Sequence, residues 1–296
     1  MSEAPPLHEL QGPKILLQGD SGSGKTYALA TFVEWAAQQS PPVEVFCLFT
    51  ENGLETLLGF WRDPPMDATG KATRPAREVP PNLHWHVVKA PTLSLSALTD
   101  AAQKVGMLSY DSITKMTDPN RGTNNPYYKI LQALTNFVDD RTGKSYGNIG
   151  EWKADKALLV DSLSQLAENC MKMVIGNKPT ASQPDYGVAQ NNLMNLLRYF
   201  TQGFTPTVIL TAHLQRQTNE ITGGVQLMTK AIGKAMADDI PPLFSEVLYA
   251  VRDGNTWWWD TAAANVTTKT RYLPIKGKIV PDFAQIMNKW RTRATA

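Results

Sequence analysis

Cysteine is nearly absent from this sequence. The only two, Cys47 inside an apolar run and Cys170 in a helical pattern, lie far apart and read as buried free thiols rather than a disulfide. The four scattered histidines provide no zinc-ligand spacing with them, so no structural metal is expected. Also missing is any apolar run of about 18 residues, which excludes a membrane-spanning helix. The opening "MSEAPPLHEL" lacks the basic-then-apolar order of a signal peptide. A reducing, cytoplasmic setting without membrane contact is the expectation. Net charge is scarce too: 29 basic against 27 acidic side chains leave +2, too little to indicate a nucleic-acid binder by bulk charge. No internal repeat or low-complexity tract occurs.

What is present suits a soluble globular chain. With 296 residues, 42% of them hydrophobic, it can bury a large core, and length alone allows one large domain or two small ones. The charge is unevenly placed. From residue 269 onward seven bases face the single acid Asp282, so this end carries +6 and the remainder −4.

Short apolar runs alternate with helical patterns. Residues 14–18 (KILLQ), 43–49 (VEVFCLF), 85–88 (WHVV), 157–162 (ALLVDS) and 207–212 (TVILTA) read as strands. Helical patterns cover residues 25–39, about 94–105, the stretch behind residue 162 to about 174, and about 188–200. Three further runs, EVLYAVR, TWWWD and TTKTRYL, read as consecutive strands near the C-terminus. The pattern predicts an α/β fold: a mostly parallel central sheet with helices on both faces and a C-terminal antiparallel extension. The division expected is an N-terminal arm (1–12), one core (13–280) carrying an insertion at about 106–151, and a basic C-terminal tail (281–296).

Residues 19–26, GDSGSGKT, match the phosphate-loop pattern G-x-x-x-x-G-K-[ST] at every fixed position and sit between a predicted strand and a predicted helix. Gly19, Asp20, Ser21, Gly22, Ser23 and Gly24 supply the loop whose N–H groups face a phosphate. Lys25 reaches the β- and γ-phosphates and Thr26 holds Mg²⁺. ATP and Mg²⁺ are therefore the expected ligands.

In open α/β sheets, ligands sit at the carboxyl ends of the strands. The residues leaving those ends are Glu51, Asp161 and His213. Asp161 suits a carboxylate that holds the Mg²⁺ on the phosphates. Glu51 suits the base that activates water. His213 suits a sensor of the γ-phosphate.

The phosphate loop, the Glu in "LFTENG", the stretch "LLVDSLSQL", a helix opening "YGVAQNNLMNLLRYF" and a polar "TGG" loop after a strand ending in His together resemble the ATPase core of RecA-like recombinases. More closely, they resemble the phage-encoded ATP-binding proteins of that superfamily, some of which act in single-strand annealing or recombination. The resemblance covers about residues 13–272. It implies a Mg²⁺-dependent, DNA-dependent ATPase in a bacterial host cell that assembles as a homo-oligomer, ring or filament, and works alongside a single-strand-binding protein. It further implies that residues 176–185 and 214–230 are loops holding single-stranded DNA, with Lys178, Arg216, Gln217, Thr218, Asn219 and Lys230 as contacts. Lys269 and Arg271 would complete a neighbouring subunit's ATP site. A ring-forming helicase-type motor and a nucleotide-gated regulator are the competing functions. Trp257–Trp259 read either as a buried strand or as a platform for stacking bases.

Overall fold

The computed structural model describes residues 11–63, 72–89, 94–107, 125–176, 180–218 and 224–294, with Thr69, Ser109, Asp111, Ser112 and Lys178. Among them a seven-stranded sheet forms the centre. Its strands are β1 (Lys14–Gly19), β2 (Glu44–Phe49), β3 (Leu83–Val87), β4 (Lys156–Asp161), β5 (Thr207–Ala212), β8 (Glu246–Asp253) and β9 (Thr256–Asp260). They run in the order β3-β2-β4-β5-β1-β8-β9. All neighbours pair in parallel except β8 and β9, which form an antiparallel edge pair. The expected sheet and its antiparallel extension are both present.

Burial on both faces explains why the strands read as unbroken apolar runs. In β1, Ile15 and Leu17 face one core and Leu16 the other. The first core is closed by α1 (Lys25–Ala37), α2 (Leu54–Arg62) and a C-terminal helix, α8 (Ala284–Ala294). The second is closed by α4 (Pro126–Thr135), α5 (Leu163–Ile175) and α6 (Gln183–Arg198). A further helix, α3 (Leu95–Met107), follows β3, and α7 (Gly233–Asp239) precedes β8. No helix among the described residues is long and apolar enough to cross a membrane.

Several expectations change. The described part of the predicted insertion, residues 125–151, is built into the main core: Tyr127, Ile130, Phe137 and Ile149 are buried in it, and Phe46 packs 5.1 Å from Phe137. His84 pins this segment by reaching Glu44 (2.6 Å) on one side and Asp139 (3.2 Å) on the other. Residues 281–296, expected as a basic tail, instead supply α8, because Phe283, Ile286, Met287 and Trp290 recur at helical spacing and bury against α1. The run TTKTRYL is not a strand. It touches the sheet through one bridge, Val247 with Lys269, while the side chain of Glu246 receives the Arg271 N–H (2.7 Å) and the Thr270 hydroxyl (2.6 Å).

Residues 214–230, expected as a loop, contain a β-hairpin. β6 (Leu214–Thr218) pairs antiparallel with β7 (Val225–Thr229), while residues 219–223, Asn219 among them, lie outside the described residues. Helix α6 begins at Gln183, five residues earlier than its apolar period suggested, because Ser182 and Asp185 form a capping box. The predicted DNA loop at residues 176–185 is shortened accordingly.

Candidate functional site

The carboxyl ends of β1, β2, β4 and β5 converge on one cleft of about 970 Å³ lined by Ser21–Ala28, Glu51, Asp161 and His213. The phosphate loop forms its floor. Gly22 (φ 76°) and Gly24 (φ 83°) adopt left-handed backbone that favours glycine, and this conformation turns the chain directly from β1 into α1. The Lys25 ammonium donates to the Gly19 and Asp20 carbonyls at 2.8 Å each, spanning the loop from inside. Burial lowers its pKa, while Asp161, Glu51 and Asp20 act in the opposite direction. The Ser23 hydroxyl is buried and has no hydrogen-bond partner among the described residues.

Asp161 ends β4 and is buried beneath the loop. Its Oδ2 accepts from the Thr26 hydroxyl at 2.7 Å and its Oδ1 from the Thr211 hydroxyl. Burial raises its pKa, Glu51 adds to the rise, and the two hydroxyls and Lys25 counter it. This all-oxygen arrangement at the phosphate edge fits a small divalent cation such as Mg²⁺, which would repay the cost of the buried carboxylate. Gly53 is required here by close approach, since a Cβ at that position would stand 2.4 Å from Asp161 Oδ2.

Glu51 leaves β2 two residues beyond Phe49, which pairs with Asp161. Its carboxylate lies 3.5 Å from His213 Nε2. A hydrogen bond with His213, then one with Ser162 and the charges of His213 and Lys25, hold its pKa below the ordinary 4.5 against the pull of burial. Glu51 is thus kept ionised, as a proton acceptor must be.

His213 joins the cleft to the hairpin. Its N–H donates to the Ser164 hydroxyl (2.9 Å), its carbonyl accepts from Lys230 N–H (2.8 Å), and Ser164 closes the ring by donating to the Lys230 carbonyl (3.1 Å). A second tie runs from β1: the Thr229 hydroxyl donates to Gln18 Oε1 (2.8 Å), one residue before the phosphate loop.

The structure thus brings together Glu51, Asp161, His213, Lys25, Thr26 and the loop residues. Arg216 and Thr218 lie exposed on the hairpin, Lys230 lies exposed just after it, and Gln217 keeps a buried Oε1 that has no partner among the described residues. Arg216 is close enough to Tyr249 to oppose the rise in its phenol pKa caused first by burial and then by Asp20 and Asp260. Lys178 stands apart, paired with Asp185 at 2.9 Å. Lys269 and Arg271 do not reach this chain's cleft. Lys269 Nζ donates to the Phe244 carbonyl (2.8 Å), and Arg271 lies beside Glu246, which pairs with Ile15 at the start of β1 rather than its end.

Sequence reasoning missed Thr211, and it singled out Trp257 as strand or stacking platform without placing it at this cleft. Thr211 is a polar residue near the carboxyl end of a mostly apolar strand, two positions before His213 and so on the same side of the sheet, a signal that period-two reading supplies. Trp257 gave no such signal, because its role depends on β9 folding back beside β8: its indole N–H donates to the Gly22 carbonyl at 3.2 Å.

A phosphate loop between a parallel strand and a helix, with the Asp-bearing strand separated from it by the His-bearing strand, defines a P-loop ATPase core. The chain belongs to the AAA domain family, whose profile matches residues 11–277. No curated protein matches it. Solved structures similar to it include an ATPase from the type III secretion system of pathogenic bacteria, with 12% identity over 82% of this chain and 52% of that one (TM-score 0.39). Another is the flagellar accessory protein FlaH of Methanocaldococcus jannaschii, with 10% identity over 84% of this chain and 76% of that one (TM-score 0.33). The chain spans about half the length of the secretion ATPase.

Proposed function

We propose that the protein is a Mg²⁺-dependent ATPase that binds single-stranded DNA through its hairpin, as a homo-oligomer, and promotes annealing or strand exchange. The observation that carries this reading is the double role of His213. Its ring faces the Glu51 carboxylate while its backbone anchors Lys230, the residue that follows β7. A change at the γ-phosphate end of the cleft is therefore one side chain away from Arg216 and Lys230.

In this reading, the loop N–H groups and Lys25 hold the phosphates of ATP. Thr26 and Asp161 would hold Mg²⁺, which when bound neutralises phosphate charge. Glu51 takes a proton from water as its oxygen attacks the γ-phosphorus and the bond to the ADP oxygen breaks. Lys269 and Arg271, remote from their own chain's cleft, would serve a neighbouring subunit. The weak charge of the hairpin leaves Gln217, Thr218, Asn219 and main-chain N–H groups to share the grip with Arg216 and Lys230. Lys178, tied to Asp185, would contribute only by exchanging that partner for a phosphate. Action beside a single-strand-binding protein in the bacterial cytoplasm accords with the resemblance to phage annealing proteins.

The test is the salt dependence of oligonucleotide binding. Log K against log [salt] should fall by about 0.7 per phosphate neutralised, and Arg216→Ala should flatten the slope by about that amount. An unchanged slope excludes Arg216 as a contact, and tighter binding to RNA of the same sequence would redirect the reading to RNA.

A further inference from the structure

The order of strands assigns the two ends of the cleft. Counted from β1, which carries the phosphate loop, Glu51 follows β2, three strands to one side, and Trp257 lies on β9, two strands to the other. At about 4.8 Å between neighbours those two strands stand roughly 24 Å apart. A triphosphate seated on the loop with its γ end toward Glu51 must therefore direct its nucleoside toward β9. This step rests on the reading of the cleft as a nucleoside triphosphate site.

At the β9 end the cleft is lined by Thr31, Trp257 and Pro281. Trp257 is 43% exposed, whereas Trp259, two residues on along the same face, is buried at 1%. The outer ring is thus no part of the core, yet it is held in place. Its N–H is bonded to Gly22, the Arg252 guanidinium lies 5.2 Å from its centroid, and Gly24 leaves it room, since a Cβ there would approach it to 3.0 Å. A fixed, half-exposed indole beside the phosphate loop offers apolar surface for a flat ligand. The polar side chains nearby have partners of their own: the Thr31 hydroxyl donates to the Ala28 carbonyl (2.8 Å) and accepts from the Phe283 N–H (3.0 Å), and Arg252 Nε donates to the Gly254 carbonyl (2.9 Å).

We propose that Trp257 is the base-stacking residue of the nucleotide site, with Pro281 as a second wall, and that the base is gripped by stacking without hydrogen-bonded reading of its edge. The site accordingly takes purine nucleoside triphosphates with little preference between adenine and guanine. The edge position of β9 makes Trp257 substitutable without loss of the fold.

The experiment is calorimetric binding of ATP, GTP and inorganic tripolyphosphate, each with Mg²⁺, to the wild type, Trp257→Ala and Trp257→Phe. The expected result is a loss of about tenfold for ATP and GTP alike in Trp257→Ala, or about 1.4 kcal/mol, with tripolyphosphate unchanged and binding retained in Trp257→Phe. Parallel weakening of ATP and tripolyphosphate would make Trp257 a prop for the loop and overturn the proposal, as would parallel tightening, which would make it an obstruction. Unchanged ATP binding in Trp257→Ala, or a wild-type preference of more than about a hundredfold between ATP and GTP, also overturns it. A folded wild type that binds neither ATP nor tripolyphosphate refutes the nucleotide site itself, and this inference with it.

Discussion

His213 Nε2 lies 3.5 Å from Glu51 Oε1, so a residue at the end of β5 favours the ionised form of a residue leaving β2, two strands away. The hydrogen bond between them is the largest influence holding the Glu51 pKa below its ordinary 4.5. In the proposed role Glu51 acts only when ionised, so hydrolysis should fail as pH falls through its pKa. The acid limb of the rate profile should lie below the ordinary glutamate range in the wild type and move upward in His213→Ala. Glu51→Gln should slow hydrolysis by about 10²–10⁴ while ATP affinity changes by less than about twofold. Single-turnover rates and equilibrium binding check both statements, and equal losses in rate and affinity would make Glu51 a binding residue instead.

Gly53 has an ordinary backbone angle (φ −104°), so alanine there is strained by space alone. Its Cβ would meet Asp161 Oδ2 at 2.4 Å and the Phe49 ring at 3.0 Å. Gly53→Ala should lower stability by about 1–3 kcal/mol through overpacking. It should also weaken ATP binding more in Mg²⁺ than in EDTA, because the displaced carboxylate is the one proposed to hold the cation. Urea melts and paired titrations measure the two effects.

The phosphate loop and the three strand-end residues were legible because each obeys a local rule: a fixed motif, and the end of an apolar run. Asp161 and Glu51 emerge beside each other only because β2 and β4 pair, yet the rule about carboxyl ends located both in advance. The hairpin was hidden because Gln215, Arg216, Gln217 and Thr218 provide little apolar alternation, and pairing with β7 is what makes them a strand. The run TTKTRYL failed for the opposite reason. Its β-branched residues suit a strand, but the segment bends at Thr270, whose hydroxyl receives the Leu273 N–H at 2.8 Å, and the buried Glu246 collects the Thr270 and Arg271 donors beside it. In α8 the bases Lys289, Arg291 and Arg293 masked Ile286, Met287 and Trp290, which with Phe283 just before the helix recur at helical spacing, so charge suggested a tail where packing makes a helix.

Lys14 is buried with its ammonium directed at the Phe204 and Pro206 carbonyls. Those acceptors and the nearby Phe204 ring favour the charged form, but burial outweighs them and lowers the pKa from 10.5 to about 7. Between about pH 7 and 10.5 the native state therefore binds fewer protons than the unfolded chain, so this residue makes stability rise with pH across that window and leaves it flat below. The full difference amounts to roughly 5 kcal/mol. Lys14→Met should remove the slope and be more stable than the wild type at pH 7. Urea unfolding of both proteins at pH 7.5 and 9.5 tests the sign, and identical pH dependence would contradict it.

The central claim is that the ATP cleft and the hairpin are one coupled device. ATP hydrolysis by the wild type and by Lys25→Ala, each measured with and without single-stranded DNA, tests it most directly. The account predicts a wild-type rate that rises about tenfold on adding single-stranded DNA, a coupling of ordinary size, and no hydrolysis above background in the variant under either condition. A wild-type rate that depends on Lys25 but is unmoved by any DNA would contradict the coupling while leaving the ATPase in place.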